Sequence, residues 1–246
     1  MGMSTSTRKQ QAREAREDLI LREAQAILLE RGYLGLTMDR IAQATDYSKG
    51  TIYQHFPNKE EVVMALVTQT SSRRSAMFER AATFRGRSRE RMAAIGQAAE
   101  LFVRLYPDHM RSEQIVRAAS VRDKTTPERR RVLEACESRC MNVAKGVVRD
   151  AIAAGDLELD PERVPELAFG LWSMHFGAFN LAVAEWPLDE LGVDDPLASL
   201  RVNQHVLLDG YGWQPLFASA FDWDATNARI AHEVFAGEWA RLAGEA

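Results

Sequence analysis

Residues 37–61, TMDRIAQATDYSKGTIYQHFPNKEE, leave a chain few ways to fold. Thr37 can cap a short helix whose apolar positions are Met38, Ile41, Ala42 and Ala44. Thr45-Asp46-Tyr47 breaks that pattern. Ser48 suits the N-cap of a second short helix, because its hydroxyl can accept the amide N–H of Gly50 or Thr51. That helix runs to about His55 and is stopped by Pro57, since the residue before a proline is pushed out of the α region. Asn58 caps a third helix, and Glu61 stands three residues on, the arrangement of a capping box. Two short helices joined by a turn of about four residues have the spacing of a helix-turn-helix.

Ile52 and Phe56, spaced i and i+4, anchor the second helix. Lys49, Gly50, Thr51, Tyr53, Gln54 and His55 are left over, and none is acidic. Short polar groups, a lysine and an aromatic near a helix N-terminus suit the major groove, where a recognition helix offers its first turn to base edges and backbone N–H groups face phosphate. Gly50 lets the backbone approach DNA closely. The plainer reading of the same pattern is a helical hairpin with a solvated face.

The stretch YSKGTIYQHFPNKEEV, Tyr47 to Val62, resembles the DNA-binding segment of the TetR family of bacterial transcriptional repressors. Gly32, Tyr33, Thr37 and Ile41-Ala42 extend the resemblance, which covers roughly residues 15–65. Asp46-Tyr47 departs from the Gly-Val or similar apolar turn of that family. The resemblance implies an all-α protein: a three-helix DNA-binding domain followed by a larger helical domain for ligand binding and dimerisation. It implies contacts to bases or phosphates from Lys49, Thr51, Tyr53, Gln54 and His55, with Ser48 and Gly50 in the same helix start. Thr37 and Lys59 would fix the frame on phosphates.

Charge distribution agrees. Residues 1–59 hold nine Lys/Arg and seven Asp/Glu, a balance of +2, whereas the remainder carries −6. Phosphate should meet the N-terminal part and be repelled by the rest. Cys136 and Cys140 form no disulfide framework, nothing resembles a signal peptide, and a cytoplasmic protein is expected. Met1–Ser6 matches a loose myristoylation pattern, better read as chance.

In chain order, residues 1–13 read as a flexible basic arm with Arg8, Lys9 and Arg13. Residues 14–31 read as a helix with Leu19, Ala26, Leu29 and Ile27 inward and Gly32 as its stop. Residues 14–57 make the expected DNA-binding domain and 58–246 the regulatory one. A helix from Asn58 to about Phe84 is a rigid connector. Ser88–Tyr106 buries Met92, Ile95, Ala99, Phe102 and Leu105. Pro107 opens a further helix to about Val121, and Thr126-Pro127-Glu128 starts one that ends at Gly155. Cys136 and Cys140 lie on it as small apolar side chains rather than a metal or thiol site.

Residues 167–184 carry no charge, yet a buried helix fits them better than a membrane span. On the wheel, Gly170, Met174, Gly177, Leu181 and Ala184 fall on one side, with small residues that permit close helix approach. Trp172, Phe176, Phe179 and Val183 fall opposite. Residues 196–209 offer Leu197, Leu200, Val206 and Leu207, and 224–242 form a last helix with Ile230, Val234, Phe235 and Trp239. The family resemblance implies a dimeric four-helix bundle here, with Leu200 and Leu207 joining the first of those faces. An effector pocket is expected at Phe102, Tyr106, Trp172, His175, Phe176 and Phe179, mostly apolar with few polar groups.

The chain shows no Gly-rich phosphate loop, no Gly-x-Ser-x-Gly elbow and no His-Glu-x-x-His, and its five histidines are scattered. No enzyme, cofactor or metal is expected. The partners expected are near-palindromic operator DNA, a small-molecule effector and a second copy of the chain. A sequence-tolerant DNA-architecture protein, and a helical enzyme or carrier with a vestigial DNA-binding domain, are the alternatives.

Overall fold

A computed structural model describes residues 5–117, 119–184, 186–217 and 221–244, so the Met1–Ser6 pattern begins outside the described residues. Every regular element among them is helical: α1 (Thr5–Gly35), α2 (Met38–Thr45), α3 (Lys49–His55), α4 (Lys59–Ala82), α5 (Ser88–Leu105), α6 (Pro107–Arg117), α7 (Ala119–Arg122), α8 (Pro127–Ala153), α9 (Val164–Val183), α10 (Pro196–Gly210), α11 (Trp223–Val234) and α12 (Ala236–Ala243), with one 3-10 turn at Pro161–Arg163. The chain divides into two compact units, Met1–Thr70 with Arg111–Glu134, and Ser71–Met110 with Ala135–Ala246.

In the first unit, α1 begins at Thr5, so the segment expected to be a flexible arm continues the helix. Gly32 breaks α1 at a φ of 65°, as its place after the helix requires. The buried stripe of α1 is Ile20, Leu21, Ala24, Ile27 and Leu28. Only Ile27 matches the expected face; Leu19 is half-buried, while Ala26 and Leu29 face outward. The i, i+4, i+7 run from Ile20 through Ala24 to Ile27 takes the core. In α2, Ala44 is exposed and Thr45 is buried instead, its hydroxyl donating to the Ile41 carbonyl at 2.8 Å. Ile41, Ile52 and Phe56 are fully buried beside Val62, Val63 and Val67 of α4. Each such side chain contributes about 1.5–3 kcal/mol by leaving water. Val116 of α6 and Leu133 of α8 complete this core. This compact unit is therefore larger than residues 14–57, because two apolar side chains from beyond the connector seal it.

The second unit is organised around α5. Met92, Ile95, Ala99 and Phe102 are buried as expected, and Leu105 is half-buried. Arg89, wholly buried, donates to Asp209 at 2.7 Å, to the His205 carbonyl at 3.0 Å and to the Trp213 carbonyl. Trp213 is itself wholly buried, and its indole N–H donates to Ser88 at 3.0 Å. These bonds fasten α5 to the end of α10 across more than a hundred residues of chain. The last helix expected at 224–242 is two helices. Phe235 leaves helical geometry at φ −125°, ψ 21°, and its ring is fully buried beneath the Arg80 guanidinium. Both helices pack on α5. No helix among the described residues is long and apolar enough to cross a membrane.

Candidate nucleic-acid interface

Local capping builds the α2–α3 pair. Thr37 accepts the Arg40 N–H at 3.3 Å, and Ser48 accepts the Thr51 N–H at 3.1 Å. Asp46 closes α2 in the left-handed region at φ 56°, the only non-glycine residue with positive φ among those described. Asp tolerates that region because its short polar side chain bonds locally. The position that departs from the family pattern thus performs the same turn. Tyr47 then packs partly buried on the core.

Ile52 and Phe56 point α3 inward, which leaves Ser48, Lys49, Gly50, Tyr53 and Gln54 exposed and Thr51 at the edge. Tyr53 is 51% exposed. A Cβ on Gly50 would meet only the Ser48 hydroxyl, at 3.7 Å. Nothing inside the fold therefore requires glycine there. Lys49 reaches across to α2 and pairs with Asp39 at 2.7 Å, both side chains being largely exposed. That hydrogen bond, with the carboxylate's charge, raises the Lys49 pKa. Asp39 was not singled out in the sequence; its place in the first turn after Thr37 is the signal that could have found this pair.

Two expected contacts are engaged inside the fold. The His55 side chain is only 7% exposed and its Nδ1 lies 3.1 Å from Glu17 of α1. At the end of α3 it turns with Phe56 into the domain instead of toward the reading face. Lys59 donates to the Tyr33 carbonyl at 2.9 Å and sits 4.0 Å over the Tyr33 ring, so its ammonium is engaged at the α1 terminus. Glu61 does not close a capping box. Asn58 does accept the Glu61 N–H at 2.8 Å, but the Glu61 carboxylate is 1% exposed and pairs with Arg129 at 2.6 Å. The neighbouring Glu60 accepts the Tyr33 hydroxyl at 2.9 Å. Burial, reinforced by Glu60, pushes the Tyr33 pKa up to about 12.

In the second unit the six expected pocket residues do not converge. Phe102 meets Tyr106 at a tilt and His109 edge-on, at 5.2 and 5.1 Å, and His175 meets Phe179 at 5.6 Å. Trp172 is 44% exposed and lies in an outward row with Phe169 and Phe176, at 5.9 and 5.7 Å. It is not a pocket wall. One cleft, bordered by His175, Gln97, Glu100, Arg201, Gln204 and His205 among others, holds about 20 Å³, room for a single water. His175 donates from Nδ1 to the Leu171 carbonyl at 2.8 Å, and burial lowers its pKa.

The expected interface residues also divide. Gly177, Leu181 and Ala184 are exposed, whereas Gly170 and Met174 are half-buried. A Cβ on Gly177 would meet nothing within 4 Å. Leu200 is 5% exposed and belongs to the core, and Leu207 packs partly buried against it. Val202 and Val206 are the outward apolar residues of α10, 49% and 58% exposed. α10 uses Leu197, Leu200 and Leu208 inward, which rotates Val206 out. Cys136 is buried with its Sγ 3.3 Å from the Ser72 hydroxyl, and Cys140 lies 3.3 Å from Ser75. Among the described residues, no three His, Cys, Asp or Glu side chains converge as metal ligands would.

Comparison with known proteins places this geometry. Residues 20–66 match the family model described as bacterial regulatory proteins, tetR family. An uncharacterised HTH-type transcriptional regulator, YvkB of Bacillus subtilis strain 168, is 38% identical over 60 residues, 24% of this chain and 32% of that protein. The match therefore spans about a third of that relative's length. The fatty acid metabolism regulator protein of the same organism is 24% identical over 153 residues, 61% of this chain and 76% of that one. The crystal structure of the transcriptional regulator FadR from Bacillus subtilis in complex with stearoyl-CoA superposes with a TM-score of 0.58 at 20% identity, covering 78% of this chain and 97% of the other. At that identity the likeness is one of fold.

Proposed function

We infer, for a chain that belongs to the TetR family of bacterial transcriptional regulators, that it is an operator-binding repressor released by a small molecule. The observation that carries this reading is the outward face of α3. Ser48, Lys49, Gly50, Thr51, Tyr53 and Gln54 stand there without an acidic neighbour on the same helix, and glycine occupies a position where the fold has room for a side chain. Thr37 supports the frame from α2. Two such helices, one from each protomer, would enter successive major grooves about 34–36 Å apart, so the operator is near-palindromic.

The second copy would dock on the outward row of α9 and α10. Phe169, Trp172, Leu181, Val202 and Val206 are exposed there, and Gly177 and Ala184 allow close approach. A self-complementary patch of this kind suits a two-fold dimer. The effector would enter the second unit near Phe102, Tyr106, His175, Phe176 and Phe179, parting the Phe102–Tyr106 and His175–Phe179 ring pairs of the free protein. Long acyl thioesters are the first class to try, because the FadR structure contains stearoyl-CoA. An effector that lowers operator affinity must itself bind less tightly to the DNA-bound form by the same factor.

Selection of purified protein against random duplex DNA tests this. One near-palindrome should be enriched, and Tyr53→Ala should lose it. Binding that is salt-sensitive but enriches no sequence would favour the architectural alternative.

A further inference from the structure

The corner between α3 and α4 is held by a segment far along the chain. Glu61 accepts the Arg129 Nε–H at 2.6 Å and also the Thr126 backbone N–H. The same Arg129 guanidinium lies 4.8 Å over the ring of Phe56, the residue that ends the reader helix. Asn58 donates to the Lys124 carbonyl at 3.0 Å, and Lys124 pairs with Glu60 at 3.3 Å. Arg130 stiffens the gripping turn itself by donating to the Thr125 carbonyl at 2.8 Å. Glu60 and Glu61 are 5% and 1% exposed, so the links end on buried carboxylates. Burial works to raise the Glu60 pKa, yet the hydrogen bonds from Tyr33 and Lys124 hold it below its ordinary value.

We propose that Arg129 and Glu61 are positioning residues for DNA reading, setting the orientation of α3 without touching DNA. The proposal rests on the operator-binding reading above. An ion pair on a buried carboxylate adds little to stability over apolar groups of the same shape; the role proposed for this one is to fix a single geometry. Here the fixed geometry is that of the reader's last residue and the first turn of α4. Arg129 stands in the first turn of α8.

The test compares Arg129→Met, and Arg129→Met combined with Glu61→Leu, with the unaltered chain. Each is measured on the selected operator and on random duplex at several salt concentrations, with thermal unfolding alongside. The double variant removes both charges and should melt near the unaltered protein. Operator affinity should fall in both variants by about tenfold to a hundredfold, the equivalent of one or two lost base contacts. Random-duplex affinity and the salt slope should stay unchanged, because no phosphate contact is lost. A double variant that reads the operator as the unaltered chain does would overturn the proposal, leaving the pair structural only. So would a parallel fall on operator and random duplex with a shallower salt slope, since Arg129 would then be a phosphate contact. If the unaltered chain enriches no sequence, the operator-binding reading fails first and takes this proposal with it.

Discussion

The α2–α3 hairpin and the second unit are built by different kinds of contact. The hairpin is assembled from neighbours: Thr37 bonds Arg40 and Ser48 bonds Thr51, each three residues apart. The second unit is tied by Arg89 to Asp209 and by Trp213 to Ser88, separations of 120 and 125 residues. Local contacts write themselves into short sequence patterns. Distant ones do not, and they concentrate stability in a few buried groups.

The largest expected effect breaks the distant kind. Arg89→Met leaves the Asp209 carboxylate without its buried cation and should cost about 3–5 kcal/mol, read as a lower urea midpoint. Adding Asp209→Leu should recover most of the loss. A double variant as unstable as the single one would show that the carbonyl bonds from Arg89, and not the ion pair, hold α10.

The next effect is a pH dependence confined to that unit. Burial, aided by the Arg89 charge, pushes the His205 pKa down to about 4 from 6.5. Because the unfolded chain takes up the proton first, this contribution to stability is complete above pH 6.5. It is lost as pH falls toward 4, and amounts to about 3 kcal/mol. His205→Phe should flatten the curve of unfolding free energy between those limits, while stacking on Phe217 and Trp223 is kept. A curve of unchanged slope would assign the dependence to other groups.

The smallest effect sharpens the local kind. Asp46→Ala places an ordinary side chain at φ 56° and should cost about 1 kcal/mol, whereas Asp46→Gly should cost less. Equal losses, measured by thermal unfolding, would mean that the turn depends on the carboxylate and not on backbone freedom.

Legibility follows the same division. Caps, turn and stop around α2 and α3 were visible because each signal lies within a few residues of its partner. The face of α1 was not, since Leu19 and Leu29 compete with Ile20 and Leu28 and only packing on α2 and the shared core decides. α9 is apolar all round, so its sequence carries no sign of which side is inward. Gly177 of the small-residue stripe is exposed, and Trp172, read as inward, also faces out. His55 had every sequence credential of a base contact. Its inward turn depends on Glu17, 38 residues earlier. Arg129 lay wholly outside the segment that suggested DNA.

The pair between Lys49 and Asp39 bears on how such a protein searches a genome. On the proposed reading, the carboxylate occupies the ammonium as a phosphate would, so each encounter with arbitrary duplex would begin by exchanging one anion for another. The gain from merely landing would be reduced, dwell time on irrelevant sequence would shorten, and more of the final affinity would have to come from base edges. An acidic side chain beside α3 would thus trade residence everywhere for discrimination at one address.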